Sequence, residues 1–146
     1  MRVKVQDAKM AGLPFVFSYL RFKVNFLFTS DVSKMAETLA SEAHVAEWAD
    51  RLIKQHKVVV FSKSNCPYCR KAIEAFQSVK AKDMHVEEIE GSPYMDAIQD
   101  YMKQQTGARS VPRVFIGGQF LGGADDTIRA KADGTLVEKL RAAGAL

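Results

Sequence analysis

The chain has 146 residues, of which 47% are hydrophobic, and a formal net charge of +4. A chain of this length can bury one core of ordinary size, so we expect one domain with an extension rather than two domains. The charge excess lies in residues 1–30, which contain five basic residues and one acidic residue, and the remainder is balanced. The composition therefore gives no support to nucleic-acid binding by the domain.

The chain contains only two cysteines, Cys66 and Cys69, and lacks the several separated pairs of small secreted proteins. A reducing compartment is therefore expected. The apolar stretch over residues 10–28 is interrupted by a proline, two basic residues and an asparagine. It falls short of the roughly 20 apolar residues that a membrane helix needs, so we expect a soluble protein with no membrane partner.

Residues 1–40 are predicted to be a basic N-terminal extension, and residues 41–146 to be the domain. The first thirty residues are basic, poor in acid and rich in Phe, which overlaps with the composition of mitochondrial targeting segments. They are interpreted either as a targeting or poorly ordered segment or as an extra element packed on the domain. A second interpretation is that Met35 begins a shorter product. We expect a cytoplasmic location, or a mitochondrial one if the extension is a targeting segment.

The domain is predicted to begin with an amphipathic helix whose N-cap is Ser41. Its apolar residues at helical spacing are Val45, Trp48, Leu52 and Ile53. Residues 58–61 follow, a β-branched and aromatic run without polar alternation that predicts a strand covered on both faces in the middle of a sheet. Ile73, Phe76 and Val79 then recur at helical spacing, and residues 84–89 are predicted to be a second strand.

Pro93 is predicted to occupy the first turn of the next helix, which Gly107 ends. Two apolar runs, 114–116 and 119–121, flank a Gly-Gly pair and predict a β-hairpin. A final helical region contains Ile128, Leu136, Val137 and Leu140. The order αβαβαββα predicts an α/β fold in which helices flank a mixed sheet.

Cys66 and Cys69 stand between a predicted strand and a predicted helix, with Pro67 at or near the first helical position. The helix N-terminus offers unpaired N–H groups and partial positive charge, which would stabilise a thiolate on Cys66. Lys63 adds a nearby cation. Cys69 lies one turn into the helix, where it should be less exposed and placed to attack a mixed disulfide formed on Cys66. The pattern predicts a redox pair with unequal roles.

A zinc half-site and an inert structural pair are the alternative interpretations of these two cysteines. Structural zinc usually needs four ligands, and the sequence contains no second Cys pair. His44, His56 and His85 do not form a cluster with metal-ligand spacing, and each is interpreted as a surface or partly packed residue. No metal is therefore expected.

Residues 62–69, Ser-Lys-Ser-Asn-Cys-Pro-Tyr-Cys, resemble the active site of a dithiol glutaredoxin. Residues 106–116 and 122–125 resemble the two other signatures of that family in the same order, and the resemblance runs from residue 44 onward. Ser110 stands where the family more often has Thr and retains the hydroxyl. The resemblance implies a thioredoxin-like fold with a central mixed four-stranded sheet, and glutathione as co-substrate.

The resemblance also implies that Lys63 and Gln99 hold the glycine carboxylate of glutathione, with Arg109 as a weaker candidate, and that Tyr68 lines the groove. Lys63 as a solvated loop charge and Gln99 as a surface helix residue are the alternatives.

Val111 would pair its backbone with the cysteinyl part of glutathione, as an added strand does, and Pro112 is expected to be cis beside Cys66. Asp125 would meet the γ-glutamyl ammonium. The carboxylate of the γ-glutamyl group would be received by N–H groups at a helix end that includes Gly123 and Ala124. Asp125 as an N-cap alone is the alternative.

The activity implied is a glutathione-dependent thiol–disulfide oxidoreductase that reduces protein–glutathione mixed disulfides and protein disulfides. Cys66 would be the nucleophile and Cys69 the resolving residue. The implied partners are glutathione, glutathionylated or disulfide-containing proteins and, through the glutathione pool, glutathione reductase. We expect a monomer.

Two other functions are weighed against this one. The first is a dimer that binds an iron–sulfur cluster through Cys66 and two glutathiones. Pro67 argues against it, because cluster-binding glutaredoxins more often lack that proline. The second is a thioredoxin reduced by a dedicated reductase, against which the three glutathione-type motifs argue.

Overall fold

The computed structural model describes the backbone of residues 17–146 and the side chains of residues 32–146. The chain divides into two units, with the boundary between Thr38 and Leu39. The first sixteen residues of the predicted extension lie outside the described residues. Among those described, none of the helices combines the length and the apolar character that a bilayer crossing requires.

Five helices and four strands occur in the described part of the chain. In chain order they are α1 (Phe17–Gln55), β1 (Val58–Ser62), α2 (Pro67–Ser78), β2 (Met84–Glu88), α3 (Met95–Thr106), β3 (Arg113–Ile116), β4 (Gln119–Gly122), α4 (Ala124–Ala132) and α5 (Thr135–Ala142).

The four strands form one mixed sheet in the order β2-β1-β3-β4. β1 pairs parallel with β2 and antiparallel with β3, and β3 pairs antiparallel with β4. All five residues of β1 are buried. The prediction of a mixed four-stranded sheet flanked by helices is confirmed, and so is the central position of the strand that begins at Val58.

β1 separates two hydrophobic cores, because successive side chains of a strand point to opposite faces of the sheet. Val59 and Phe61 pack in a core that includes residues of α1 and α3. Val58 and Val60 pack in a second core that includes residues of α2, α4 and α5. Both faces are covered, which explains why this strand shows no polar alternation. The loop that leads to Cys66 follows the last residue of this buried strand.

The predicted hairpin is confirmed, with Gly117 and Gly118 between β3 and β4. Their φ angles are 56° and 81°. A two-residue hairpin turn of the primed type needs positive φ at both central positions, which the Gly-Gly pair supplies.

The predicted start of the first helix is wrong. α1 begins at Phe17 and continues through Ser41, which is therefore not an N-cap. Residues 17–55 contain neither Pro nor Gly, so no residue in this range breaks the helix once it has started. The predicted apolar face is confirmed, because Val45, Leu52 and Ile53 are buried and Trp48 packs against the same core.

Pro93 precedes α3 instead of lying in its first turn. The Ser92 hydroxyl oxygen accepts the N–H of Tyr94 at 3.1 Å, a local bond that favours a turn over a helix start. α3 ends at Gly107 as predicted. α2 ends at Ser78, one residue before Val79, and β2 ends at Glu88, one residue before Ile89.

The final helical region is two helices and not one. Asp133 Oδ1 accepts the N–H of Thr135 at 2.9 Å and the Thr135 hydroxyl at 2.6 Å. An aspartate that bonds to the backbone two residues later stabilises a turn in place of a continuing helix. The element order is therefore αβαβαββαα.

Candidate active site

Cys66 lies at the N-cap of α2, directly after the loop that leaves the buried strand β1, and Pro67 takes the first helical position. The Cys66 Sγ accepts the N–H of Cys69 at 3.2 Å. This is the position of a side-chain cap, and a thiolate there faces the positive end of the helix dipole. Cys66 is half-buried. The predicted context of strand, cysteine and helix start is confirmed.

Cys69 lies in the first turn of α2 and is only 1% exposed. Burial raises the pKa of Cys69 to about 11, and the hydrogen bond with Cys66 adds to this effect. The Ser62 hydroxyl and the Lys63 backbone act in the opposite direction. Both cysteines are free thiols. The two sulfurs therefore differ in exposure in the predicted sense.

A groove of about 260 Å³ opens near Cys66. It is lined by Tyr68, Ser110, Val111, Pro112, Arg113, Gly123, Ala124, Asp125 and Asp126. Six predicted binding residues are thus brought together from α2, the loop before β3 and the start of α4. The Cys66 Sγ lies 4.0 Å from the Val111 carbonyl oxygen. The Val111–Pro112 peptide bond is cis, as expected.

Arg113 belongs to the groove lining, and the sequence analysis did not single it out. Its Nε donates to the Ser110 carbonyl oxygen at 2.7 Å, and its guanidinium also donates to the Ser110 hydroxyl at 2.5 Å. The guanidinium stacks over the Phe120 ring at 5.8 Å. Burial lowers the pKa of Arg113. The Arg113 side chain therefore stabilises the segment that contains Val111. The Ser110 hydroxyl, a group that Thr would also supply, accepts one of these hydrogen bonds.

The start of α4 forms the acidic wall of the groove. The Gly123 N–H donates to Asp126 Oδ2 at 3.0 Å, so this donor is already engaged. The N–H groups of Ala124 and Asp125, at the first two helical positions, have no partner within the helix and suit an incoming carboxylate. Gly122 is required here, because a Cβ at this position would overlap the Asp126 carboxylate. Asp126 is a second residue that the sequence analysis missed.

Gln99 and Arg109 form a separate group beside α3. Gln99 Nε2 donates to the Arg109 carbonyl oxygen at 2.8 Å. The Arg109 guanidinium pairs with Asp100 at 2.9 Å and with Asp96 at 3.4 Å. These ion pairs are exposed, with 45% of the Arg109 side chain accessible. Pairs of this kind are worth about 0–1 kcal/mol, so a carboxylate ligand could replace one at little cost.

Lys63 lies in the turn before Cys66, and its carbonyl oxygen accepts the Cys66 N–H at 3.1 Å. Neither Lys63 nor the Gln99–Arg109 pair lines the groove. The residues predicted to bind the γ-glutamyl end of glutathione therefore lie together in one groove. Those predicted to bind the glycine carboxylate lie outside its lining, as Lys63 and as the Gln99–Arg109 pair. The binding roles themselves stay predictions.

The glutaredoxin family model matches residues 58–121. Human glutaredoxin-1 is 42% identical over 102 residues, which cover 68% of this chain and 96% of the relative. The chain belongs to the glutaredoxin family. It is therefore a glutathione-dependent thiol oxidoreductase.

Solved glutaredoxin structures resemble the fold closely. Oxidised glutaredoxin 2 from Chlamydomonas reinhardtii superposes with a TM-score of 0.69 at 45% identity, covering 72% of this chain and 98% of its own. A buckwheat glutaredoxin–glutathione complex gives a TM-score of 0.70 at 36% identity, covering 73% and 96%. The thioredoxin-like fold is thus confirmed, as is the resemblance to glutaredoxins.

Proposed function

We propose that the chain reduces protein–glutathione mixed disulfides through Cys66 alone. The Cys66 thiolate attacks the glutathione sulfur, a Cys66–glutathione disulfide forms, and the protein leaves as a thiolate. A glutathione thiolate then attacks the glutathione sulfur on Cys66, which releases oxidised glutathione and restores the Cys66 thiolate. Glutathione reductase would return the oxidised glutathione to the pool. Each step exchanges one disulfide for another without loss of electrons.

For a protein disulfide, we propose that both cysteines act. Cys66 attacks one substrate sulfur and forms a mixed disulfide with the protein. Cys69 then attacks the Cys66 sulfur, which releases the reduced protein and leaves a Cys66–Cys69 disulfide. Two glutathiones reduce that disulfide in turn. Cys69 is needed in this reaction and dispensable in the first.

The observation that carries this proposal is the unequal setting of the two thiols. Cys66 is half-buried at the helix N-cap, while Cys69 is 1% exposed directly behind it. A partner sulfur approaching from solvent therefore meets Cys66 first. Since the Cys69 pKa is raised to about 11, its thiolate fraction at neutral pH is small, which disfavours it as the first nucleophile.

We further propose that glutathione lies in the groove between Val111 and Asp125. Backbone groups of Val111 would pair with the cysteinyl part, as an added strand does. The Asp125 carboxylate would meet the γ-amino group, while the N–H groups of Ala124 and Asp125 would receive the γ-glutamyl carboxylate. Lys63, Gln99 and Arg109 would hold the glycine carboxylate. The buckwheat glutaredoxin–glutathione complex supports the choice of ligand.

The deciding experiment measures reduction of a glutathionylated peptide by glutathione, coupled to glutathione reductase. The intact chain, Cys66→Ser and Cys69→Ser are compared. We expect Cys66→Ser to be inactive and Cys69→Ser to keep turnover. With a protein disulfide as substrate, Cys69→Ser should instead accumulate the mixed disulfide with Cys66. Loss of the first reaction in Cys69→Ser would contradict the one-thiol route.

The assembly state and the location complete the proposal. We propose a monomer, which light scattering of the reduced chain would test, since a cluster-bridged dimer would have twice the mass and an absorbing cluster. We also propose a cytoplasmic protein whose residues 1–40 are an extension to a domain over residues 41–146. Tagging each end separately would distinguish it from a mitochondrial precursor, because only a precursor loses its N-terminal tag.

A further inference from the structure

A side-chain contact joins the loop before Cys66 to the end of β2. The Ser64 N–H donates to Glu90 Oε1 at 2.5 Å, across 26 residues of sequence. The two residues continue the parallel register of β1 and β2, in which Ser62 stands opposite Glu88. The Ile89 N–H also donates to the Ser62 carbonyl oxygen at 3.0 Å. The Glu90 carboxylate therefore takes the place of a backbone acceptor just beyond the end of the strand.

The electrostatic setting of Glu90 agrees with this contact. Hydrogen bonds from the Ser64 hydroxyl and N–H lower the pKa of Glu90, and the positive charge of Lys63 contributes to a smaller degree. Glu90 is thus held in its ionised form by the loop it binds.

The contact reaches Cys66 through a single turn. The Cys66 N–H donates to the Lys63 carbonyl oxygen at 3.1 Å, so Ser64 lies inside the turn that delivers Cys66 to the N-cap of α2. Without Glu90, the exposed Ser64 N–H would bond to water and the turn would sample more conformations. Small displacements of a reacting group are costly, because the attacking sulfur must be aligned with the disulfide.

We propose that Glu90 is a positioning residue that fixes the Lys63–Cys66 turn through Ser64. This inference rests on the proposed function where glutathione kinetics are concerned. The fixed turn favours the reaction of Cys66, because it holds the attacking sulfur in alignment.

Two substitutions test this role. Glu90→Ala removes the acceptor of the Ser64 N–H, and we expect kcat to fall about three- to tenfold through loss of alignment. Glu90→Gln keeps an amide oxygen for Ser64, so kcat should stay near that of the unchanged chain. Glu88→Gln, which changes an exposed carboxylate two residues earlier at the end of β2, is the matched control.

A second measurement does not involve glutathione. Iodoacetamide alkylation of Cys66 is followed by peptide mass spectrometry, below the melting transition of each variant as measured by circular dichroism. Glu90→Ala should change the alkylation rate at least about threefold, whereas Glu90→Gln and the Glu88→Gln control should match the unchanged chain.

Three outcomes bear on the inference. Unaltered alkylation and kcat in Glu90→Ala would overturn it, and so would a Glu90→Gln variant that behaves like Glu90→Ala in both measurements. If the unchanged chain lacks glutathione-dependent turnover while Glu90→Ala still alters alkylation, the proposed function fails and the positioning of Cys66 by Glu90 stands.

Discussion

The two sides of the candidate site differ in how far they are assembled without a ligand. On the α4 side, Val111, Pro112 and Asp125 line one groove, and Asp126 holds the Gly123 N–H. On the α3 side, Arg109 is paired with Asp100, and Gln99 bonds to the Arg109 backbone. The groups on the α4 side are available to a ligand without rearrangement. On the α3 side, Gln99 and Arg109 would have to give up internal partners to bind one.

For the proposed glutathione complex, this difference predicts how the residues of the two sides contribute to affinity. Preformed groups cost little to organise on binding, so the α4 side can bind without breaking internal contacts. The exposed Arg109–Asp100 ion pair exchanges at a cost of about 0–1 kcal/mol, so Arg109 adds little net affinity. Substitutions on the two sides should therefore differ in size and, for one of them, in sign.

The largest effect is expected for Gly122→Ala. A Cβ would overlap the Asp126 carboxylate, and φ is 145°, a conformation that favours glycine. Strain of this kind costs about 1–3 kcal/mol, which denaturant unfolding should show as a loss of stability. The displaced Asp126 should also disturb the start of α4, which lines the groove, and so raise KM for glutathionylated peptide. Gly91→Ala is the control, because no atom lies within 4 Å of its Cβ position. Equal stability losses in the two variants would show that the Asp126 contact is unimportant.

Gln99→Ala should have the next largest effect. It removes the donor predicted for the glycine carboxylate and the 2.8 Å bond to the Arg109 carbonyl oxygen. Loss of a hydrogen bond of about 1 kcal/mol raises KM about fivefold. Gln104→Ala, an exposed residue on the same helix, should leave KM unchanged. A KM unaffected by Gln99→Ala would remove Gln99 from the binding site.

Asp125→Asn tests the preformed side with a milder change. The substitution keeps the size of the side chain and removes the charge predicted to meet the γ-glutamyl ammonium. Loss of one exposed ion pair should raise KM about threefold and leave kcat nearly unchanged. The rise should shrink in high salt, because exposed charges are screened. Asp125 is not an N-cap, because Gly123 takes that position and Asp125 lies inside α4. A salt-independent or absent effect would therefore remove Asp125 from the binding site.

The smallest effect is expected for Asp100→Asn, and in the opposite direction. Without its 2.9 Å partner, Arg109 becomes more available to a carboxylate, so KM should fall about twofold. Asp96→Asn, whose pairing distance is 3.4 Å, should act more weakly in the same sense. A rise in KM for Asp100→Asn would mean that the ion pair holds Arg109 in its binding position.

Much of the fold followed from local sequence patterns. The uninterrupted apolar run at residues 58–61 and the Gly-Gly hairpin are local signals that tertiary packing reinforces. The start of α1 did not follow, because the N-cap preference of Ser41 is weaker than the tendency of a helix without Pro or Gly to continue. The break between α4 and α5 was likewise not predicted, because the bond from Asp133 to Thr135 competes with helix formation only locally.

The sequence motifs predicted residues of the candidate site but not the contacts that support them. The Asp96 and Asp100 pairs of Arg109 lie four residues apart on one helix and could have been noticed as one face. The contact between Ser64 and Glu90 depends on the parallel register of two strands, which no local pattern specifies. The contacts of Arg113 with Ser110 and Phe120 are likewise not specified by any local pattern.

The burial of Cys69 has a consequence for how the Cys66–glutathione disulfide would divide between the two proposed routes. With a pKa of about 11, the thiolate fraction of Cys69 at pH 7 is about one in ten thousand, against about three in a hundred for an ordinary thiol of pKa 8.5. The proximity of Cys69 to Cys66 makes its attack intramolecular, which offsets the small thiolate fraction. Burial, the main cause of the shift, persists when Cys66 carries glutathione. As pH rises past the pKa of ordinary thiols, attack by glutathione levels off while attack by Cys69 still increases about tenfold per unit. Under the proposed mechanism, the ratio of the two routes should therefore move toward internal disulfide formation in alkaline solution and toward the one-thiol route near neutrality.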